Sequence, residues 1–180
     1  MKLEGDGPVL VSVGHLIERK GHDLVIEAAA LLRERHPTLQ LLIIGEGEEF
    51  GRLSRLIQDR GLASNVRLVG ARPNEELKLW YSAADALVLA SSREGWANVL
   101  LESMACDTPV VATKIWGTPE VVTPESGGVL VDRTAASLAA GLQQLLAAPP
   151  PAGRVRAYAE GFGWEQTSQG QLRLMRTVAG

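Results

Sequence analysis

The sequence predicts an α/β protein built on an open, doubly wound parallel sheet of about six strands, with helices on both faces and further helices at the C-terminus. Three observations carry that expectation. Short apolar runs such as "LQLLIIG" and "ALVLAS" lack the polar alternation of a half-exposed strand, so both faces of the sheet must be covered. These runs alternate with longer stretches of helical period, the pattern of right-handed βαβ units. Several of them close on glycine, which lets the chain turn sharply as it leaves the sheet.

Taken in order, "PVLVSVG" (8–14) reads as the first strand from its valines and closing glycine. "LVIEAAALLRERH" (24–36) has apolar residues at helical spacing and stops before Pro37. "LQLLIIG" (39–45) is the second strand, and "EEFGRLSRLIQDRG" (48–61) the second helix, closed by Gly61. "NVRLVG" (65–70) is the third strand, followed by a short helix (74–84) with Asn74 as its cap. "ALVLAS" (86–91) is the fourth strand, and a helix capped by Asn98 follows it. "TPVVAT" (108–113) and "GGVLV" (127–131) complete the strands. "AASLAAGLQQLLAA" (135–148) is one helix, broken by "PPPAG", and 154–180 read as two more around a Gly-Phe-Gly elbow. The whole, 1–180, reads as a single Rossmann-like domain, with residues 1–8 a linker or an engineered start.

Composition narrows the function. With a formal net charge of -3, the chain suits neither wholesale nucleic-acid binding nor an anionic membrane surface, so any anion site must be built locally. Cys106 is the single cysteine, which excludes an internal disulfide and a cysteine-based zinc site. It also points to a reducing, cytoplasmic location. No run approaches the roughly 18 apolar residues of a transmembrane segment, and "MKLEGDGP" lacks a signal-peptide core.

In this fold ligands bind outside the carboxyl ends of the strands, so the loops there are the candidates. "GEGEEFG" after the second strand nearly matches a dinucleotide fingerprint, but its third glycine comes one position late. Glu46, Glu48 and Glu49 would also repel a pyrophosphate, which argues against a nucleotide-dependent oxidoreductase. Its glycines read as turn residues that let the chain pass close to a ligand bound next door. "GHLIERKGHD" after the first strand offers Gly14 for a sharp turn, then His15, Arg19 and Lys20 as positive charge just before a helix N-terminus. That suits a phosphate or diphosphate, the alternative being a solvated basic loop. After the fourth strand, Gly95 keeps Glu94 out of the helix, while Glu102 faces out from the first helical turn. Backbone N–H groups around Asn98 and Val99 then hold an anion, with a carboxylate on either side to accept hydrogen bonds from hydroxyls. A diphosphate flanked by two polyols, as in a sugar nucleotide, fits.

Four stretches carry a family resemblance: "GHLIERKG", "LVGARPNEELKLWYSAADALVLAS", "EGWANVLLESMACDTPVVAT" and "GTPEVV". Together they resemble the C-terminal, donor-binding domain of a GT-B retaining glycosyltransferase of group 1 (family 4), which includes sucrose-phosphate synthases and bacterial mannosyl- and glucosyltransferases. The resemblance runs from Val9 to the C-terminus. It implies binding of a UDP- or GDP-sugar, with Glu94 and Lys20 as catalytic residues. Lys20 matches the diphosphate contact, with Arg19 as a second and Gly14 and His15 in the same loop. Glu94 and Glu102 match the two acids of the E-x7-E motif, the first meeting the donor sugar and the second the ribose. Gly95, Trp96, Ala97, Asn98 and Val99 match the loop that touches sugar and phosphate, and Arg72 stands where the nucleobase is held. The resemblance implies no metal and no cofactor beyond the sugar nucleotide.

Three departures stand out. His15 replaces the family's arginine, which makes the charge there pH-dependent. Asp107 replaces a glycine at the close of a helix. The family's N-terminal acceptor domain has no counterpart in these 180 residues. By the same resemblance, the closing "FGWEQTSQGQLRLMRTV" is a helix that packs against that half, so Trp164 and its neighbours would be exposed and the chain would self-associate weakly. Such a chain would bind donor but transfer little. A non-catalytic nucleotide-sugar binding module and a GT-B sugar-nucleotide epimerase fragment are the alternative readings.

Overall fold

Successive side chains of a strand point to opposite faces of its sheet, and a strand with both sets apolar must be covered on both sides. The computed structural model, which describes residues 6–163 and 175–177, has that arrangement. Six parallel strands, β1 (Val9–Val13), β2 (Gln40–Ile44), β3 (Val66–Gly70), β4 (Ala86–Leu89), β5 (Val110–Thr113) and β6 (Val129–Val131), form one sheet in the order β3-β2-β1-β4-β5-β6. Residues such as Leu41, Ile43 and Val88 pack under helices α1 (His22–Arg33), α2 (Phe50–Asp59) and α6 (Ala135–Ala147). The alternate set, among them Val11, Leu87 and Leu89, packs under α3 (Asn74–Ser82), α4 (Asn98–Ala105) and α7 (Arg154–Ala159). The predicted doubly wound, Rossmann-like sheet is therefore present.

Four local expectations are corrected. Pro73, held at φ -55°, is the residue flanking α3, and its carbonyl receives the Glu76 N–H, so Asn74 is already inside the helix. Ala97 flanks α4 in the same way, and Asn98 makes no side-chain cap. The second helix starts at Phe50, with Glu49 at its cap position. The first starts at His22, because Gly21 adopts φ 66° and its carbonyl accepts the first bond from Val25. A short helix, α5 (Thr118–Val121), and single 3-10 turns at Glu18–Lys20 and Pro124–Ser126 were not anticipated. Of the two helices expected after residue 154, α7 ends before the Gly-Phe-Gly elbow. Most of the second, Trp164 included, lies outside the described residues.

Candidate functional site

Chain order reverses between β1 and β4, and the loops leaving these two strands face one cleft at the carboxyl edge of the sheet. The β1 loop is held from the side by β2's. Leu16 donates to the Glu46 carbonyl (2.9 Å), and the Leu16 carbonyl accepts from Glu49 (2.9 Å). A β-carbon on Gly45 would overlap the Gly14 carbonyl oxygen, and one on Gly47 would overlap that of Leu16. The glycines of "GEGEEFG" thus make room for the neighbouring loop's backbone, which corrects the expectation that they make room for a ligand. The three glutamates also precede α2, where Glu49 pairs with Arg52, itself 3.4 Å from Asp23.

So positioned, the 3-10 turn presents Arg19 and Lys20 to the β4 loop, 74 residues away. Lys20 Nζ donates to Glu94 Oε1 at 2.5 Å, and the Ser91 hydroxyl donates to the same oxygen at 2.7 Å. Arg19 donates to the Arg93 carbonyl (2.7 Å), with its guanidinium 3.9 Å from Glu94 Oε2. Only 10% of the Glu94 side chain is exposed, and a carboxylate so buried is stable only when paired. The pairing is lopsided. Among the described residues Oε1 has two donors, while Oε2 has only the distant arginine and keeps its capacity for a hydroxyl.

At the entrance to α4, the Asn98 N–H turns back to the Trp96 carbonyl (3.1 Å) and Leu100 donates to Ala97 (3.0 Å). The Val99 N–H, free of a backbone partner among the described residues, is an open donor at the positive end of the helix. Gly95 and Asn98 are exposed and Ala97 is buried, while the half-exposed Trp96 ring packs 6.2 Å from Phe162. One turn further on, Glu102 Oε2 accepts from the Tyr81 hydroxyl (2.9 Å). Burial pushes the Tyr81 hydroxyl well above its ordinary pKa and the adjacent carboxylate adds to the shift, so it stays a proton donor. Glu102 is partly exposed, leaving Oε1 to meet a second hydroxyl.

The surroundings of Arg72, His15 and Asp107 could not be read from the sequence. The Arg72 guanidinium lies 5.7 Å from the centre of the Trp80 ring and donates to the Ala71 carbonyl, so it is folded onto α3. His15 is exposed at the loop tip, whereas a second histidine beneath it, His22, is buried. His22 Nδ1 meets the Ser12 hydroxyl (3.2 Å), and the ring lies beside the Gly14 and His15 backbone, while Nε2 has no hydrogen-bond partner among the described residues. Burial lowers its pKa to about 4, so the imidazole is neutral. Asp107 sits in the left-handed region at φ 62°, but its carboxylate accepts from the Gly153 and Arg156 N–H groups (2.6 and 3.2 Å) at the start of α7. The substitution for glycine therefore has a tertiary role.

Sequence reasoning missed Ser91, Tyr81, Gly21 and Trp116. The first had a usable signal, a serine at a strand end three residues before an acid. Gly21 adopts φ 66°, and a β-carbon there would overlap the Ala90 carbonyl oxygen at the end of the β4 run. Among the described residues no group of three or more His, Cys, Asp or Glu could hold a metal ion, and no helix is long and apolar enough to cross a membrane.

The family model described as "Glycosyl transferases group 1" matches residues 2–162. The chain belongs to that family. Among curated relatives of this group 1 chain, the D-inositol 3-phosphate glycosyltransferase of Frankia alni is 37% identical over 97% of the chain and 46% of the relative. The chain thus spans about half the length of the curated relatives it matches. Among solved structures, the sucrose-phosphate synthase of Thermosynechococcus elongatus superposes with a TM-score of 0.84 at 33% identity, covering 99% of this chain and 47% of that one. HepE of Anabaena, in complex with UDP-glucose, superposes with a TM-score of 0.80 over 97% of this chain and 49% of that one. At 22% identity the HepE match shows a shared fold.

Proposed function

We propose that this chain is the donor-binding part of a retaining, GT-B type hexosyltransferase and binds a nucleotide-diphosphate sugar across the β1–β4 cleft. The observation that carries the reading is the Lys20–Glu94 pair, which places a cation and a hydroxyl acceptor side by side where the two loops meet. The diphosphate lies against Lys20, Arg19 and the Val99 N–H, two cations and an open helix-end donor. The donor sugar's hydroxyls reach Glu94 Oε2, and the ribose reaches the free oxygen of Glu102 beyond Tyr81. The membership of group 1 and the UDP-glucose bound to HepE support this ligand class.

In transfer, the bond between the anomeric carbon and the diphosphate oxygen breaks and the diphosphate leaves with the electron pair. An acceptor hydroxyl forms the new bond to that carbon and passes its proton to the departing diphosphate oxygen. Charge builds on the departing oxygens, and Lys20 and Arg19 are placed to stabilise it. As an ammonium arrives at phosphate it gives up part of its hold on Glu94, whose freed lone pairs turn to the sugar. Turnover belongs to the whole length of the relatives, of which this chain spans about half.

The test is calorimetry and thermal shift with UDP, GDP and ADP and with their glucose, mannose and N-acetylglucosamine conjugates. At least one nucleotide should bind, and its sugar conjugate should bind more tightly than the bare diphosphate. Binding by none of them would overturn the reading.

A further inference from the structure

Trp116 is the least expected residue of the cleft. Its backbone adopts φ 36°, a conformation that a bulky residue rarely enters, and 67% of it is exposed. An exposed, strained tryptophan loses twice, once in backbone energy and once in unburied apolar surface. The surrounding structure nevertheless enforces it. The buried Thr118 hydroxyl lies 2.7 Å from both the Thr113 and Ile115 carbonyls, sharing its one proton between them, and accepts from the Ile115 N–H (3.0 Å), pinning the β5 loop from within. Gly117 then lies so close to the β4 loop that a β-carbon on it would overlap the Gly95 carbonyl oxygen. From the β4 loop, Arg93 places its guanidinium 4.9 Å from the centre of the Trp116 ring. The loop backbone is thus pinned from within, and the ring is held by Arg93 of the loop that carries Glu94 while still open to solvent.

We propose that Trp116, held by Arg93, is a stacking platform for a sugar ring at the mouth of this cleft and helps to select that sugar. The proposal rests on the donor-binding reading above. A pyranose offers a face of C–H bonds to the π surface and hydroxyls at its rim, and the hydroxyl-accepting Glu94 is one residue from the Gly95 carbonyl that Gly117 touches. A flat apolar group would gain the stacking but leave the buried carboxylate without a new donor. Fixing the ring before the ligand arrives lowers the ordering cost of binding.

The ring could receive the nucleotide-linked sugar or a free sugar that accepts it, and two titrations separate these sources. Wild type, Trp116→Gly and Trp116→Phe are titrated with the three nucleotides and nine conjugates above. They are then titrated with free glucose, mannose and myo-inositol in the presence of the tightest bare diphosphate, read by saturation-transfer NMR. Glycine relieves the positive φ, so loss of fold is not an explanation for that variant. Trp116→Gly should weaken one sugar-bearing arm by about fivefold to tenfold, and Trp116→Phe by less, while the bare diphosphate changes by under about twofold. A loss confined to conjugates assigns the donor sugar, and one confined to free sugars assigns the acceptor. If no diphosphate binds wild type, the donor-binding reading falls and this proposal with it. If a diphosphate binds and Trp116→Gly alters neither sugar arm, or weakens the bare diphosphate equally, the platform is wrong and the donor site stands.

Discussion

Replacing Asp107 separates two explanations of a residue at a helix end. The position closes α4 with the hydrogen bonds of a Schellman motif, Asp107 to the Met104 carbonyl (2.9 Å) and Thr108 to that of Ser103 (3.1 Å). Were the motif the whole story, Asp107→Gly would stabilise the protein, because glycine removes a left-handed penalty of about 1 kcal/mol. The structure reverses that sign. The Asp107 carboxylate accepts from two N–H groups at the positive end of α7, and hydrogen bonds to a charged group contribute roughly 1.5–3 kcal/mol. The net expectation is that Asp107→Gly costs about 1 kcal/mol. Asp107→Ala, which keeps the strain and loses the bonds, should cost about 2–3 kcal/mol. Asp107→Asn, which keeps one acceptor and tolerates the conformation, should fall at or below the glycine variant. Urea unfolding measures all three, and hydrogen exchange of Val155 and Tyr158 should accelerate in step, because these residues pack α7 onto the core. A glycine variant more stable than wild type would refute the cross-helix role.

Three further outcomes follow from the site's supports. His22 titrates near 6.5 when unfolded and about 4 when folded, so as pH falls between these values the unfolded state takes up a proton that the native state refuses, and stability is lost. From pH 6.5 to 5 wild type should lose about 1.5 kcal/mol relative to His22→Gln in urea titrations, and parallel curves would deny the buried neutral imidazole. Gly45→Ala should displace the β1 loop and weaken nucleotide binding at least about tenfold, while Gly51→Ala, with nothing near its added carbon, should change it little. Tyr81→Phe should weaken bare diphosphate and sugar conjugate alike by about threefold to tenfold by unfixing Glu102, and an effect on the conjugate alone would remove Glu102 from the ribose.

The sheet was legible because its strands are apolar on both faces, a pattern that survives without knowledge of any neighbour. Lys20 and Glu94 could be singled out because their loops follow strands at the carboxyl edge, where ligands bind in this fold. Their direct bond was not legible, because nothing local to either loop records a partner 74 residues away. Gly45 and Gly47 show the limit clearly. Their freedom could be read from residue type, but not that it accommodates another loop's backbone. Asn74 and Asn98 are good caps in isolation, yet Pro73 and Ala97 took the flanking positions through their backbones. Trp116 passed unnoticed, since a single aromatic in a loop has no period and its positive φ is set by Thr118 and the turn around it.

The most direct measurement is calorimetry of one diphosphate and its sugar conjugate against wild type, Glu94→Gln and Glu102→Gln. Glu94→Gln should weaken the conjugate by about tenfold to a hundredfold, the range for a hydrogen bond to a charged group. The bare diphosphate should bind as well as before or slightly better, because Lys20 is released from its carboxylate partner. Glu102→Gln should weaken both ligands, since both carry the ribose. Equal losses for the two ligands in both variants would contradict the division of labour between the two glutamates, and with it the placement of the sugar nucleotide in this cleft.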